Sequence, residues 1–190
     1  MQAYPSEHKE IVKELLDGKF ILYSDKLFSV IQDNKDFYEY FFQQSFEYNL
    51  DVRSEFIFLT SKTTTERDTR DFTIFLSLYC RELELEGQKF REQIDFATHC
   101  VEDVWKTINN STKKEIIDNT AIAGTKGIQD FINFLKRWNR KNVINLTGNS
   151  FKFTKAVNLF FEFAVNVANE KLKKTNMLES LVKDEEEGRN

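Results

Sequence analysis

The chain has 190 residues, 41% of them hydrophobic and 31% charged, with a formal net charge of −4. That length serves one domain or two small ones with a self-sufficient core, and two cysteines, Cys80 and Cys100, exclude a disulfide scaffold and fit a reducing cytosol. No run approaches the ~18 apolar residues of a membrane span, and Met1-Gln2-Ala3-Tyr4-Pro5 lacks the basic start and apolar run of a signal peptide.

Ser6 is positioned to cap a first helix with Ile11, Val12, Leu15 and Leu16 inward, and Gly18 ends it. Phe20-Ile21-Leu22-Tyr23 reads as a short strand able to pair with a later hairpin. Asp25 opens a short helix carrying Leu27, Val30 and Ile31, Asp33-Asn34 breaks it, and Asp36 opens another with Phe37, Tyr40, Phe41 and Phe42. The period then changes from 3.6 to 2: Phe46, Tyr48, Leu50 and Val52 alternate with polar residues, Arg53-Ser54-Glu55 turns, and Phe56-Ile57-Phe58-Leu59 returns. Beyond a polar linker from Ser61 to Thr65, Phe72, Leu76, Tyr79 and Leu83 predict a long helix stopped at Gly87. Phe90, Ile94, Ala97, Val101, Val104 and Ile108 predict one more helix, either packed on the long one as an antiparallel pair or supplying a dimer face.

Thr112 and Glu115 have capping-box spacing, and Gly124-Thr125 ends one segment and caps the next. Ile128, Phe131, Ile132, Leu135 and Trp138 give that next helix a clear apolar face. Val143, Ile144 and Leu146 form a strand, Thr147-Gly148-Asn149 turns, Phe151-Lys152-Phe153 returns, and a last helix carries Phe160, Phe161 and Ala164. Helix–helix–hairpin thus occurs around residues 25–60 and again around 112–153, the order of a winged helix-turn-helix. The expected fold is mainly α with small β-hairpins: tandem winged-helix domains at 1–65 and 111–175, long linking helices at 66–110, and a disordered acidic tail at 176–190.

A catalytic kit is missing from this inventory. His8 and His99 are the only histidines, and a metal site needs three or four convergent ligands. Gly124-Thr125-Lys126-Gly127 lacks the spacing and preceding strand of a phosphate loop. Glu82/Glu86 and Glu102/Asp103 read as solvated helical charge. No enzyme activity, cofactor or metal is expected.

Charge is unevenly spread. Residues 1–111 carry 13 basic and 21 acidic side chains, residues 112–182 carry 12 and 6, and residues 183–190 carry 2 and 4. Only the second half suits phosphate. Lys126, Lys136, Arg137, Arg140 and Lys141 are expected on the helix just before the second hairpin, Lys152 on the hairpin, and Lys155 at the start of the following helix. In a winged helix these positions face the duplex backbone and are candidates for sequence-independent contact. The same cations also suit a helix C-terminus, whose dipole favours them. The first half differs: the helix from Asp36 to Phe46 has Asp36 and Glu39 and no Lys or Arg, so phosphate repels it. Its aromatics exceed what a core needs, making Tyr38, Phe42 and Glu39 candidates for contact with a protein partner.

Leu15-Leu16-Asp17-Gly18-Lys19-Phe20-Ile21, then Phe37-Tyr38-Glu39-Tyr40-Phe41-Phe42, Leu50 and Phe56-Ile57-Phe58-Leu59, resemble the MukE/MksE family, the small tandem winged-helix subunits of bacterial SMC-like condensins. The similarity is best over residues 11–87. One departure is Ser45-Phe46, where the family pattern leads one to expect a glycine at the helix end. The resemblance implies a nonenzymatic, cytoplasmic, nucleoid-associated subunit that dimerises, binds the kleisin and through it joins an SMC-like ATPase. It implies a role in chromosome condensation and segregation, or in the related plasmid-restricting systems. The rival reading from the residues alone is a transcription regulator using Asn139, Arg140 and Asn142 to read bases.

Overall fold

A computed structural model describes residues 4–61, 67–118, 120 and 127–169. The fold is mainly helical with two small antiparallel sheets. Lys126, Gly124-Thr125 and the expected tail at 176–190 lie outside the described residues.

The first unit runs α1 (His8–Leu16), β1 (Ile21–Leu22), α2 (Lys26–Asp33), α3 (Lys35–Phe46), β2 (Tyr48–Val52) and β3 (Phe56–Ser61). Gly18, at φ +74°, closes α1: its N–H donates to Leu15 and the Lys19 N–H to Glu14, so two end carbonyls are satisfied. Ser6 does not cap α1; its hydroxyl donates to Glu7 instead. Asp25 caps α2 as expected, accepting from the Leu27 N–H at 2.9 Å. At the end of α3 the left-handed position is filled by Glu47, at φ +58°, so the turn forms without the expected glycine.

Strand β1 joins the hairpin as anticipated, with Ile21 opposite Ile57 and Leu22 opposite Phe56, giving the sheet order β1-β3-β2. The run Phe56-Ile57-Phe58 is buried throughout because β3 has a core on each face. Ile57 faces a cluster with Ile11, Leu15, Ile31, Tyr38 and Phe42, while Phe56 and Phe58 face a second, larger cluster.

That larger cluster is organised by α4 (Arg67–Leu85), whose Phe72, Phe75, Leu76, Tyr79 and Leu83 are buried. Around it lie α5 (Phe90–Phe96), β4 (His99–Cys100), α6 (Val101–Asn109), α7 (Lys114–Asp118), α8 (Ile128–Arg140), β5 (Ile144–Thr147), β6 (Ser150–Phe153), a 3₁₀ turn (Lys155–Val157) and a helix over 158–169. The single helix expected through 90–108 does not form. It breaks at Ala97, which turns extended, and His99-Cys100 becomes a strand paired with Phe151 and Ser150. Pairing with β6 and a buried hydrogen bond donated by the Tyr79 hydroxyl to His99 outweigh the helical period there. The second sheet has the order β4-β6-β5, repeating the first with the early strand against the last. Capping also differs from expectation near α7: Ser111, not Thr112, accepts from the Lys113 N–H, at 3.0 Å.

The two units share one seam. The Phe20 N–H donates to the Lys141 carbonyl, and Arg53 Nη1 donates to both carboxylate oxygens of Glu162, at 2.7 and 2.8 Å.

Candidate functional site

The most pronounced amphipathic element is α8. Phe131, Phe134, Leu135 and Trp138 are buried, with the Trp138 ring 4.4 Å from that of Phe72. This packing turns Lys136 and Arg140, one helical turn apart, to solvent. Neither has an ion-pair partner among the described residues, and the same is true of exposed Lys152. Lys152 stands opposite Asn145 on the outer face of the β5–β6 hairpin, whose inner face is Phe151 and Phe153. The hairpin closes through Gly148-Asn149, with Gly148 supplying the positive φ (+58°) of a two-residue turn.

The other expected cations are committed to the fold. Lys155 pairs with Asp95 at 3.1 Å. Lys141 is half-buried, with its ammonium 5.3 Å from the Trp138 ring centre. Arg137 is half-buried in a cleft it shares with Glu14 of α1 and Asp17 just beyond it, carboxylates already paired with Lys19 and Lys13.

Two of the three groups that base reading required are also occupied. The Asn139 side-chain carbonyl accepts from the Leu146 N–H at 2.8 Å, and the Asn142 side-chain amide donates to the Phe20 carbonyl at 2.8 Å. Only Arg140 of that trio faces solvent.

In the first unit the expectation for Tyr38 and Phe42 is corrected. Both are 0% exposed, and they pack on α1 and β3. Burial lifts the Tyr38 phenol to about 12, and its oxygen is buried without a hydrogen-bond partner. The spacing carried the signal: residues 37, 38, 41 and 42 make one helical stripe, and residue 40 sits roughly 200° from 38. Tyr40 is accordingly 69% exposed, with Phe46 also exposed at the end of α3. Glu39 is half-buried and pairs with Lys35 at 3.4 Å. Tyr40 is the aromatic that the sequence reading overlooked as a surface group.

The histidines are structural. His99 Nε2 faces the Gln93 carbonyl at 3.2 Å and must donate to it, so Nδ1 accepts from the Tyr79 hydroxyl at 2.8 Å. Desolvation holds His99 below its ordinary value, opposed by the Gln93 bond. His8 is also lowered by desolvation, stacked at 4.5 Å on Tyr4 and edge-on to Phe41. Burial raises the Cys80 thiol to about 12, which suppresses its nucleophilicity. Among the described residues there is no His, Cys, Asp and Glu cluster able to hold a metal, and no helix long and apolar enough to cross a membrane.

Comparison with curated proteins finds no match. Residues 6–165, spanning both sheets and α8, match the condensin complex protein MksE family, and the chain belongs to that family.

Proposed function

We propose that the protein is a nonenzymatic accessory subunit that binds the kleisin of a bacterial SMC-like condensin and, through it, joins the ATPase. We propose too that it acts as a homodimer at the nucleoid, in chromosome condensation and segregation or in plasmid restriction. The observation that carries this reading is the family match over residues 6–165, which includes both sheet-bearing units. Each unit is read as a winged helix-turn-helix, within 1–65 and 111–175, the second drawing its early strand from His99-Cys100; the repeated sheet order supports this. The first unit is read as the protein-facing one, with Tyr40 and Glu39 replacing the buried Tyr38 and Phe42 at its surface.

A sequence-independent DNA contact through Lys136, Arg140 and Lys152 accompanies this reading, supported by their exposure and lack of carboxylate partners among the described residues. The internal bonds of Asn139 and Asn142 count against an operator-reading regulator. Purification of the tagged chain from its source cell tests the proposal. Stoichiometric recovery of a long coiled-coil ATPase and a kleisin supports it. A single protected operator in a footprint, with neither partner recovered, would establish the regulator instead.

A further inference from the structure

We propose that a groove along α4 is the docking site for the chain's own residues 177–187. The groove, about 460 Å³, is floored by Ile74 and Leu78 of α4, Ile116 of α7, and Phe163 and Val167 of the helix over 158–169. Ile116 is 46% exposed and Val167 37%, so the floor is apolar surface left open to water. Every charged residue described along its lining is a cation: Arg70, Arg81 and Lys113. Arg70 pairs with Asp71 at 3.5 Å and Arg81 with Glu82, but these carboxylates are only 2% and 14% exposed against 55% and 41% for the arginines, so the cation is the solvent-facing member of each pair. Lys113 has no carboxylate partner among the described residues.

An apolar floor with a cationic rim selects an amphipathic, acidic segment. Residues 177–187 have that character. Met177, Leu178, Leu181 and Val182 are spaced to form one helical stripe, and Glu179 with Asp184, Glu185, Glu186 and Glu187 outnumber the single Lys183. The reach suffices. The eight residues from 169 to 177 extend to about 28 Å, whereas the α4 face from Arg70 to Arg81 is about 16 Å long. Tethering favours the chain's own segment over a free partner, because a short linker raises the local concentration to roughly the millimolar range. The docked segment covers the open apolar floor and neutralises its rim, leaving α8 uncovered.

Thiol labelling tests this in the full chain. In a Cys100→Ser background, where the remaining Cys80 is buried and unreactive, Ser77→Cys and Ile116→Cys each place one probe at the groove. Maleimide labelling is expected to be about tenfold slower with the native segment than when Leu178→Ser and Leu181→Ser are added. A synthetic peptide of residues 176–190 should restore protection to that doubly substituted chain, and a peptide carrying the same two serines should not. Equal labelling rates at both probes overturn the proposal. Protection that disappears on hundredfold dilution also overturns it, because the occupant is then a second copy.

Discussion

The Phe20 carbonyl accepts a hydrogen bond from the Asn142 side-chain amide at 2.8 Å, across 122 residues of sequence, while the Phe20 N–H donates to the Lys141 carbonyl at 3.0 Å. One residue of the first unit is thus held by the C-terminal turn of α8 in the second. Asn142 does this from a left-handed conformation, φ +62°, and its own N–H donates to the Asn139 carbonyl to finish the helix. Helix end and inter-unit clamp are thus the backbone and the side chain of one residue.

Asn142→Gly keeps the backbone turn and removes the clamp, so it should cost about 1 kcal/mol, the net worth of one hydrogen bond to a part-buried carbonyl. Asn142→Ala adds the strain of a left-handed alanine, roughly 1 kcal/mol more. Urea unfolding checks the order. Equal stability of the two variants would show that backbone strain is not borne at this position.

Tyr38 and Phe42 are core rings, so Phe42→Ala and Tyr38→Ala should each destabilise by roughly 3–5 kcal/mol. Tyr38→Phe removes an unpartnered buried hydroxyl and should be neutral or slightly stabilising. Tyr40→Ala, on the exposed side of α3, should change stability by less than about 0.5 kcal/mol. Thermal melts separate the three cases, and loss of kleisin capture by Tyr40→Ala with an unchanged melt would mark the partner surface.

Charge reversal at Lys136 and Arg140 should weaken DNA binding for every sequence tested and reduce the slope of log affinity against log salt by about one per lost contact. Anisotropy titrations at several salt concentrations measure it. Lys155→Glu should instead break the pair with Asp95 and lower stability modestly, by about 0.2–1 kcal/mol, since that pair is solvent-exposed. An unchanged affinity and salt slope in the charge-reversed chain would remove the α8 face from consideration.

Both histidines are held below their ordinary value when folded. The unfolded chain therefore binds these protons more readily, and stability present above about pH 6.5 is lost as pH falls through the folded values. The denaturation midpoint should drop between pH 7 and 5.5, before the carboxylates titrate. His99→Gln, which still offers an amide to the Gln93 carbonyl, should flatten that dependence while lowering stability at pH 7. A midpoint constant over this range would show that neither ring resists protonation.

The sequence alone determined what depends on neighbours a few residues apart. The Asp25 cap, the two hairpins and the apolar face of α8 follow from side-chain chemistry at fixed spacing, and all three are found where the residues put them. The charge division and the family resemblance are properties of the chain itself, and the family match bears out the resemblance. Tertiary structure decided what depends on partners far away. Residues 90–108 have a helical period, yet β6 and Tyr79 capture His99-Cys100 and break the helix. The stripe that buries Tyr38 and Phe42 was present in the spacing, but its direction was fixed by α1 and β3 packing on it. Asn139 and Asn142 look available to a ligand in the sequence and are spent on Leu146 and Phe20 in the fold. The physical reason is common to all of these: a periodic pattern states which residues share a face, and only long-range burial and hydrogen bonding determine which face meets protein and which meets water.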